Sequence, residues 1–213
     1  MLFRFLRSRL SPISPAFGAF HFLETGTLRD GELELIPPSA AWVWALMLAS
    51  RHPDTNRLSP DLAGTTERQI HDFLAICPGG RQRADAAAGN VPSYHFWMRD
   101  WSSPDLPIAG AVTLRIGAGP EVELYYGHLG YHVFPMHRGR HFAGRSVRLL
   151  LPLARRHGMD PLWITCNPDN LASRRTCQWA GGELVNIIRV PPEHSLAVRG
   201  EHFKCRYRFA MGG

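Results

Sequence analysis

Residues 127–146 read GHLGYHVFPMHRGRHFAGRS, and the hydrophobic pattern changes its period within this stretch. The first part is typical of a strand, which we place over residues 122–134, and the second part opens a helix after a short loop of glycine and arginine. Exposed N–H groups and the positive dipole end make a helix N-terminus a site for anions. With Arg138 and Arg140 flanking the loop, the stretch predicts a ligand that carries phosphate.

A nucleotide-triphosphate loop is one interpretation of this stretch. Residues 139–146, GRHFAGRS, differ from the pattern G-x-x-x-x-G-K-[ST] only in having Arg145 at the lysine position. The planar fork of arginine does not replace the compact charge of lysine on the β- and γ-phosphates. The loop also arrives after more than half the chain, whereas such loops normally open a parallel sheet. We therefore reject the triphosphate loop and keep the phosphate site.

The rest of the chain shows strand and helix patterns on both sides of this stretch. Thr66 and Gln69 form the pattern of a capping box, and Gly127 and Gly130 indicate a bulge or a close approach to the backbone. One apolar face at helical spacing follows the loop, with Pro152 inside the helix and Gly158 at its end. We expect strands at 33–37, 94–101, 108–117, 122–134, 161–166, 183–190 and 203–209, and helices at 40–50, 66–76, about 143–157, and about 168–180 with Asn167 or Asp169 as its cap.

Composition limits the class of protein. The chain has 213 residues with 45% hydrophobic and 20% charged residues, which suits one buried α/β core and no membrane-spanning helix. We interpret residues 1–25 as an N-terminal extension, without the apolar core of a secretory signal, and residues 26–213 as a single domain. The four cysteines form no CxxC pair, so we expect reduced thiols, no metal site, and a cytoplasmic protein without stable membrane association.

The net charge of +6 is concentrated around the quoted stretch. No acidic residue occurs between Leu124 and Met159, while six arginines do. Such a cluster needs an anionic partner. Because no nucleic-acid motif accompanies it, a nucleic-acid-binding domain is the least favoured hypothesis, and we expect no nucleic-acid partner.

Two spaced motifs resemble the GNAT superfamily, the Gcn5-related N-acetyltransferases that use acetyl-coenzyme A. RGRHFA, from Arg138 to Ala143, is similar to the family pattern [QR]-x-x-G-x-[GA], with His141 at the glycine position. GHLGYHVFPMHRGR resembles the fourth strand of the family, and CNPDNLASRRTCQWAGGELV resembles its later Asn-x-x-[AS] helix. The resemblance is specific over residues 108–190, and in particular to bacterial members of unassigned substrate. It implies an α/β (α+β) fold with a mixed, mostly antiparallel central sheet of about six to seven strands flanked by helices.

The resemblance also implies a site for acetyl-coenzyme A. Backbone groups of β-strand residues would pair with the pantetheine arm, N–H groups of the loop would hold the pyrophosphate with help from two arginines, and two residues of the later helix would contact the arm. For the two residues of the later helix, the alternative to a binding role is simple helix capping at an exposed surface. The implied residues are His132, Val133, Phe134, Arg138, Gly139, Arg140, His141, Phe142, Ala143, Gly144, Asn170 and Ser173.

Catalytic groups are less well defined. Many members of the family use a tyrosine as acid seven residues after the asparagine, and Cys177 stands there; the thiol is either an acid for the departing thiolate or a small buried residue. Glu123 and His128 fall on the strand where bases often lie, although His128 also suits a structural histidine. The backbone N–H near Val133 would polarise the thioester carbonyl.

These residues favour an acetyl-coenzyme A-dependent N-acetyltransferase that acetylates a primary amine of a small molecule or a protein by direct attack in a ternary complex. The alternative is a non-catalytic domain that binds the coenzyme as a sensor or structural partner. The sequence does not identify the acceptor amine, and a homodimer is left open.

Overall fold

The computed structural model describes residues 20–85 and 89–210. This part of the chain contains nine strands and six α-helices, with shorter 3-10 and π-helical turns between some of them. The strands are β1 (Leu28–Asp30), β2 (Leu33–Ile36), β3 (Arg81–Gln82), β4 (Ser93–Asp100), β5 (Ile108–Arg115), β6 (Leu129–Val133), β7 (Leu162–Cys166), β8 (Glu183–Arg189) and β9 (Phe203–Phe209). The helices are α1 (Val43–Arg51), α2 (Pro53–Leu58), α3 (Glu67–Ile76), α4 (Phe142–Arg156), α5 (Leu171–Ala180) and α6 (Ser195–Val198).

The strands form two separate sheets. One has six strands in the order β1-β2-β4-β5-β6, with β3 also on β4, and the other has the order β7-β9-β8. Each pairing between these strands is antiparallel. The predicted fold class is confirmed, but the division of the strands between two sheets was not predicted.

The two sheets touch where β6 and β7 begin. The N–H of His128 donates to the carbonyl of Trp163 over 2.7 Å, and the N–H of Trp163 donates to Nδ1 of His128 over 2.8 Å. Beyond these contacts β6 is the edge of the first sheet and β7 the edge of the second. The crossover helix α4 joins the two strands, and their later residues are not paired with each other in either sheet; we call this gap between the two edges the cleft.

Helices cover both faces of the larger sheet. On one face α4 buries Val147, Leu150 and Ala154 against residues such as Phe96 and Leu114, and on the other face α1 and α3 pack around Trp97. The three α4 residues belong to the predicted apolar face, which is confirmed. Each fully buried aliphatic side chain contributes roughly 1.5–3 kcal/mol of transfer free energy, so α4 is firmly held on the sheet that carries β6.

Several predicted local features are confirmed. Thr66 and Gln69 form the capping box, with the Gln69 N–H 3.2 Å from Oγ1 of Thr66 and the Thr66 N–H 2.8 Å from Oε1 of Gln69. The predicted strands 94–101 and 108–117 pair as β4 and β5. Gly158 follows α4 with a φ of 71°, the left-handed conformation that glycine adopts at helix ends.

Two predicted elements are wrong in detail. The predicted strand 122–134 is shorter, because Glu121–Tyr126 form a π-helical turn and the strand begins at Leu129. Gly127 separates the two with a φ of 71°. A Cβ there would lie 2.8 Å from the backbone nitrogen of Thr165, which confirms the close approach predicted at this glycine.

The second correction concerns the helix cap of α5. Neither Asn167 nor Asp169 caps it. Asn170 does so, since its side chain accepts a hydrogen bond from the N–H of Ser173. Among the described helices, none is both long and apolar enough to cross a membrane.

The predicted N-terminal extension lies mostly outside the described residues. The described part already packs on the domain: the ring of Phe20 stacks on His157 with centroids 5.3 Å apart, and the N–H of Leu23 donates to the hydroxyl of Tyr94 over 2.7 Å. The boundary at residue 25 stays a prediction.

Candidate functional site

The loop between β6 and α4 ends in an open helical turn. His141 is the N-terminal cap of α4, and the first N–H that donates to a helical acceptor is that of Arg145, 2.9 Å from the carbonyl of His141. The N–H groups just before it lack helical acceptors, as at every α-helix N-terminus. The structure thus places Gly139–Gly144 in one turn at the positive end of a fifteen-residue helix, which is the geometry of an anion site.

His141 takes the backbone conformation of the glycine that it replaces. Its φ of 57° and ψ of 21° are left-handed, a conformation that costs a non-glycine residue roughly 1–2 kcal/mol. Its imidazole stacks on the indole of Trp179 with ring centroids 4.5 Å apart and 13° between the planes. The ring is therefore held against α5, and a Cβ added at neighbouring Gly139 would meet nothing within 4 Å. The turn accommodates histidine and stays accessible.

Two of the arginines near this turn form ion pairs with acids from β1, from the turn between β1 and β2, and from β4. Arg140 forms ion pairs with Asp100 and with Glu32, the latter over 3.1 Å. Arg145 pairs with Asp30 over 2.7 Å and with the same Glu32 over 2.8 Å. The prediction that Arg140 assists phosphate binding therefore meets a competing role, because its guanidinium already serves two carboxylates.

Arg138 is different. Its Nε donates to the carbonyl of Val133 over 3.2 Å and its terminal nitrogen to the hydroxyl of Ser59. Within the described parts of the chain, no carboxylate forms an ion pair with it. Its exposed positive charge lies at the open turn, so Arg138 and the turn together suit a diphosphate.

Only some of the β6 backbone groups that were predicted to pair with a ligand are free to do so. Phe134 donates its N–H to the carbonyl of Ala109 over 2.8 Å, and its own carbonyl accepts from the N–H of His137 over 3.0 Å. Since hydrogen-bonded residues alternate along an antiparallel pair, the backbone of His132 also faces β5, and that of Val133 faces the cleft. Of the three residues predicted to pair with the pantetheine arm, Val133 alone presents its backbone there.

His128 is a structural residue in this geometry. Its Nδ1 accepts from the N–H of Trp163, and its Nε2 lies 3.0 Å from the carbonyl of Gly117, to which it donates. Burial lowers the pKa of His128 to about 4, so the neutral ring joins β6 to β7. With both nitrogens in hydrogen bonds, the ring has no nitrogen left to act as a base. His132 is likewise neutral, because burial lowers its pKa to about 4.

Glu123 lies in the π-helical turn rather than on a strand. Its Oε1 accepts from the N–H of Gly119 over 3.2 Å. This turn is covered by the β8–β9 connection, which sequence reasoning missed. Tyr126 bonds to Ser195 of α6 over 2.9 Å, and the ring of His194 lies 2.9 Å from a carboxylate oxygen of Glu121.

Ser173 and Cys177 meet a third residue that the sequence did not single out. The hydroxyl of Tyr131, from β6, lies 3.0 Å from Oγ of Ser173 and 3.6 Å from Sγ of Cys177. Asn170 caps α5 and is exposed. The available signal was the alternation within β6, because Tyr131 and Val133 share one side of the strand.

The position predicted to carry the acid thiol is enclosed. Cys177 is fully buried, and the partner thiol of Cys166, together with burial, raises the pKa of Cys177 so that it stays protonated. Burial also raises the pKa of Tyr131 well above its usual value. The four cysteines are free thiols. Among the described residues, no three His, Cys, Asp or Glu side chains are grouped to hold a metal ion.

Two antiparallel sheets with a helix N-terminus beside the open edge of β6 define an α/β protein whose geometry suits an extended, phosphate-bearing ligand. Residues 33–183 match the family described as "Acetyltransferase (GNAT) domain". The chain belongs to this family of GNAT acetyltransferases. Among curated proteins, no sequence match is found.

Solved structures with the same fold are remote in sequence. The microcin C7 self-immunity acetyltransferase MccE, solved with acetyl-CoA and AMP, is 16% identical with a TM-score of 0.60, covering 86% of this chain and 94% of its own. RimL, a ribosomal L7/L12 α-N-protein acetyltransferase solved with coenzyme A, is 16% identical with a TM-score of 0.59, and the match covers 86% of this chain and 97% of RimL. A GCN5-related N-acetyltransferase from Brucella melitensis is 16% identical with a TM-score of 0.62, and the match covers 89% of this chain and 80% of that protein.

Proposed function

We propose that this protein transfers the acetyl group of acetyl-CoA to a primary amine of a small molecule or a protein, by direct attack within a ternary complex. The single observation that carries the proposal is the junction of β6 with α4. There the outward backbone of Val133, the open turn Gly139–Gly144 and the unpaired charge of Arg138 follow one another. This order suits a ligand with an extended amide-containing arm and a diphosphate.

The binding roles follow from this geometry. The N–H groups of the turn and the guanidinium of Arg138 hold the pyrophosphate by charge-assisted hydrogen bonds. The backbone of Val133 pairs with the pantetheine arm and, near the thioester, its N–H polarises the carbonyl. Asn170 and Ser173 border the same cleft from α5 and contact the arm.

Tyr131 supplies the acid in this proposal. Acetyl transfer releases the thiolate of coenzyme A, which needs a proton. A tyrosine hydroxyl keeps its proton at physiological pH, and that of Tyr131 lies 3.0 Å from Oγ of Ser173 on the helix that borders the cleft. Cys177 lies behind this hydroxyl and positions it.

The amine must lose a proton before or during its attack. Glu123 is the candidate base that keeps one carboxylate oxygen free of hydrogen bonds from the described residues, since its Oε1 is the atom that accepts from Gly119. It would act on the amine through water. His128 takes no part in this step, because its neutral ring uses both nitrogens in structural hydrogen bonds.

Calorimetry with acetyl-CoA, followed by a thiol-release assay over a panel of amines, tests the proposal. We expect binding that Arg138→Glu weakens at least about tenfold, because a repelling charge replaces an attracting one. Arg148→Glu is the matched control, since Arg148 lies on the ring of Trp179 further along α4. Absence of binding by the unaltered protein would refute the proposal.

Tyr131→Phe tests the acid. We expect kcat to fall about a hundredfold with unchanged affinity for acetyl-CoA, and Cys177→Ala to lower it less. An unaltered kcat in Tyr131→Phe would remove the tyrosine from the mechanism. Binding without turnover on any amine would favour the non-catalytic sensor, which the enclosed thiol at position 177 also supports.

A further inference from the structure

Two cysteine side chains from different elements meet next to the hydroxyl of Tyr131. Cys166 is the last residue of β7 and Cys177 lies on α5, and both belong to the same buried cluster. The thiol of Cys177 donates a hydrogen bond to the sulfur of Cys166, and Sγ of Cys177 lies 3.6 Å from the hydroxyl of Tyr131. The two sulfurs and the hydroxyl therefore form one continuous set of contacts.

The two thiols differ in acidity. The hydrogen bond from Cys177, a second one from Ser173 and the positive charges of Lys204 and Arg174 together outweigh burial and lower the pKa of Cys166 to about 7. Cys177, by contrast, stays protonated. The thiolate is the form of cysteine that reacts with oxidants. Cys166 therefore presents a reactive sulfur in contact with a protonated thiol.

The position of Cys166 also distinguishes it from the other cysteines. It ends the strand whose edge borders the cleft, and 6% of its surface is exposed, whereas Cys77, Cys177 and Cys205 are fully buried. Burial raises the pKa of Cys205 and that of Cys77 to about 12. Acidity, access and a neighbouring thiol thus coincide at Cys166.

We propose that Cys166 and Cys177 form a reversible disulfide that lowers the activity of this protein when peroxide is present. The Cys166 thiolate attacks hydrogen peroxide, which leaves a sulfenic acid on Cys166 and releases hydroxide. The thiol of Cys177 then attacks the sulfenic sulfur, so that an S–S bond forms and water leaves. In total, two thiols are oxidised by two electrons and one peroxide is reduced to two waters. In a reducing compartment, disulfides of this kind are typically transient and sense the redox state.

The disulfide would act on the reaction through Tyr131. An S–S bond is only about 2.05 Å long, so Cys177 must move toward β7 when the bond forms. Ser173 lies one turn earlier on α5, and its Oγ and Sγ of Cys177 are 3.0 Å and 3.6 Å from the Tyr131 hydroxyl. The movement therefore alters the hydrogen bonds of the proposed acid. This consequence rests on the proposed function, whereas formation of the disulfide does not.

Peptide mapping after stepwise addition of hydrogen peroxide tests the disulfide. Trypsin cleaves after Arg174 and Arg175, so the two cysteines fall on separate peptides, and we expect a linked pair that dithiothreitol separates. Cys205→Ser removes the cross-strand neighbour of Cys166 and should still give this pair. If Cys166 and Cys177 both stay thiols, or if Cys166 links to Cys205 instead, the proposal is overturned.

Activity of the same samples, measured after each reagent has been removed by gel filtration, tests the consequence. We expect oxidation to lower kcat at least about threefold while the affinity for acetyl-CoA changes less than about twofold, and dithiothreitol to restore kcat. Peroxide should not lower kcat of Cys166→Ser below its own untreated value, and Cys77→Ser, the matched control, should respond as the unaltered protein does.

Two results would overturn the link between the disulfide and Tyr131. One is a fully linked protein with unchanged kcat. The other is a linked protein that no longer binds acetyl-CoA, because the effect would then lie outside the proposed acid. If the unaltered, reduced protein turns over no amine, the acetyl-transfer proposal fails, and the linked peptides still decide whether the disulfide forms.

Discussion

Arg140, in the turn that opens α4, lies against the buried carboxylate of Asp100 at the end of β4. The side chain of Asp100 has no exposed surface. It also accepts the N–H of Ser102 over 3.0 Å and contacts Nδ1 of His137 over 3.1 Å. Asp100 therefore connects the turn to the centre of the sheet, and an arginine predicted to bind phosphate instead fixes the position of the turn.

Asp100→Asn should destabilise the fold. Burial alone would raise the pKa of Asp100, but hydrogen bonds from Ser102 and Arg140 lower it, so the carboxylate is charged at neutral pH. Removing its charge leaves Arg140 with less compensation, and we expect a loss of about 3 kcal/mol in the free energy of unfolding. Asp54→Asn, at an exposed pair with Arg57, is the control and should cost under about 1 kcal/mol. Equal losses in urea titrations would contradict the assigned role of Asp100.

Gly144→Ala should disturb the contact between α4 and α5. A Cβ at this position would lie 2.5 Å from Cε3 of Trp179, so the indole must move, and overpacking of this kind costs roughly 1–3 kcal/mol. Combining it with Trp179→Leu removes the obstructing ring. We expect the double variant to lose less stability than the sum of the two single losses; strict additivity would show that the contact is not tight.

His141 permits a matched pair of substitutions. Both His141→Gly and His141→Ala remove the stacking on Trp179, but alanine keeps the strain of the left-handed backbone. We expect His141→Ala to be less stable than His141→Gly by about 1 kcal/mol in thermal or urea unfolding. If alanine were the more stable of the two, the left-handed assignment at His141 would be incorrect.

Stability should fall as the pH drops below about 6.5. Burial lowers the pKa of His95 to about 3 and that of His128 to about 4. Below the pKa of an unfolded histidine, the unfolded chain binds protons that the folded chain does not. Each of these histidines thus lowers the free energy of unfolding by about 1.4 kcal/mol for every pH unit between roughly pH 6 and its folded pKa. Above about pH 7 it has no such effect.

Urea titrations at pH 7, 6, 5 and 4.5 measure this slope. In the folded protein, Nδ1 of His95 lies 3.0 Å from the hydroxyl of Thr113 and Nε2 lies 3.0 Å from Oε1 of Gln82. Substituting His95 removes one of the protons that the chain takes up on unfolding. His95→Gln should therefore have lower stability at pH 7 but a shallower dependence on pH. A parallel shift of the whole curve would mean that His95 does not contribute to it.

Local periodicity predicted the elements that pack by a single face. Val147, Leu150 and Ala154 repeat at helical spacing, and the Thr66–Gln69 cap is a short-range pattern, so both could be recognised without the fold. The π-helical turn could not, because Val122 and Leu124 alternate with polar neighbours as they would in a strand. Its geometry is set by Gly127 and by the neighbouring backbone of β7.

Long-range charge pairing limited the prediction of the site. The sequence shows no acid between residues 124 and 159, which suggested a strongly positive surface. The structure brings in Asp30, Glu32 and Asp100 from distant strands, and Arg138 keeps its charge. Tyr131 was missed for a similar reason, since its meeting with Ser173 and Cys177 depends on how α5 docks on the sheet.

Because β6 and β7 are edges of two different sheets, no strand joins the two sheets along the cleft. In the free molecule, the carbonyl of Val133 accepts from Nε of Arg138 and water must solvate the outward amide, whereas a peptide-like chain in the cleft would replace that water and continue the ladder from one sheet to the other. Occupancy should then slow hydrogen–deuterium exchange on both sides of the gap at once. Such a ligand would act as a temporary strand that links the facing edges of the two sheets.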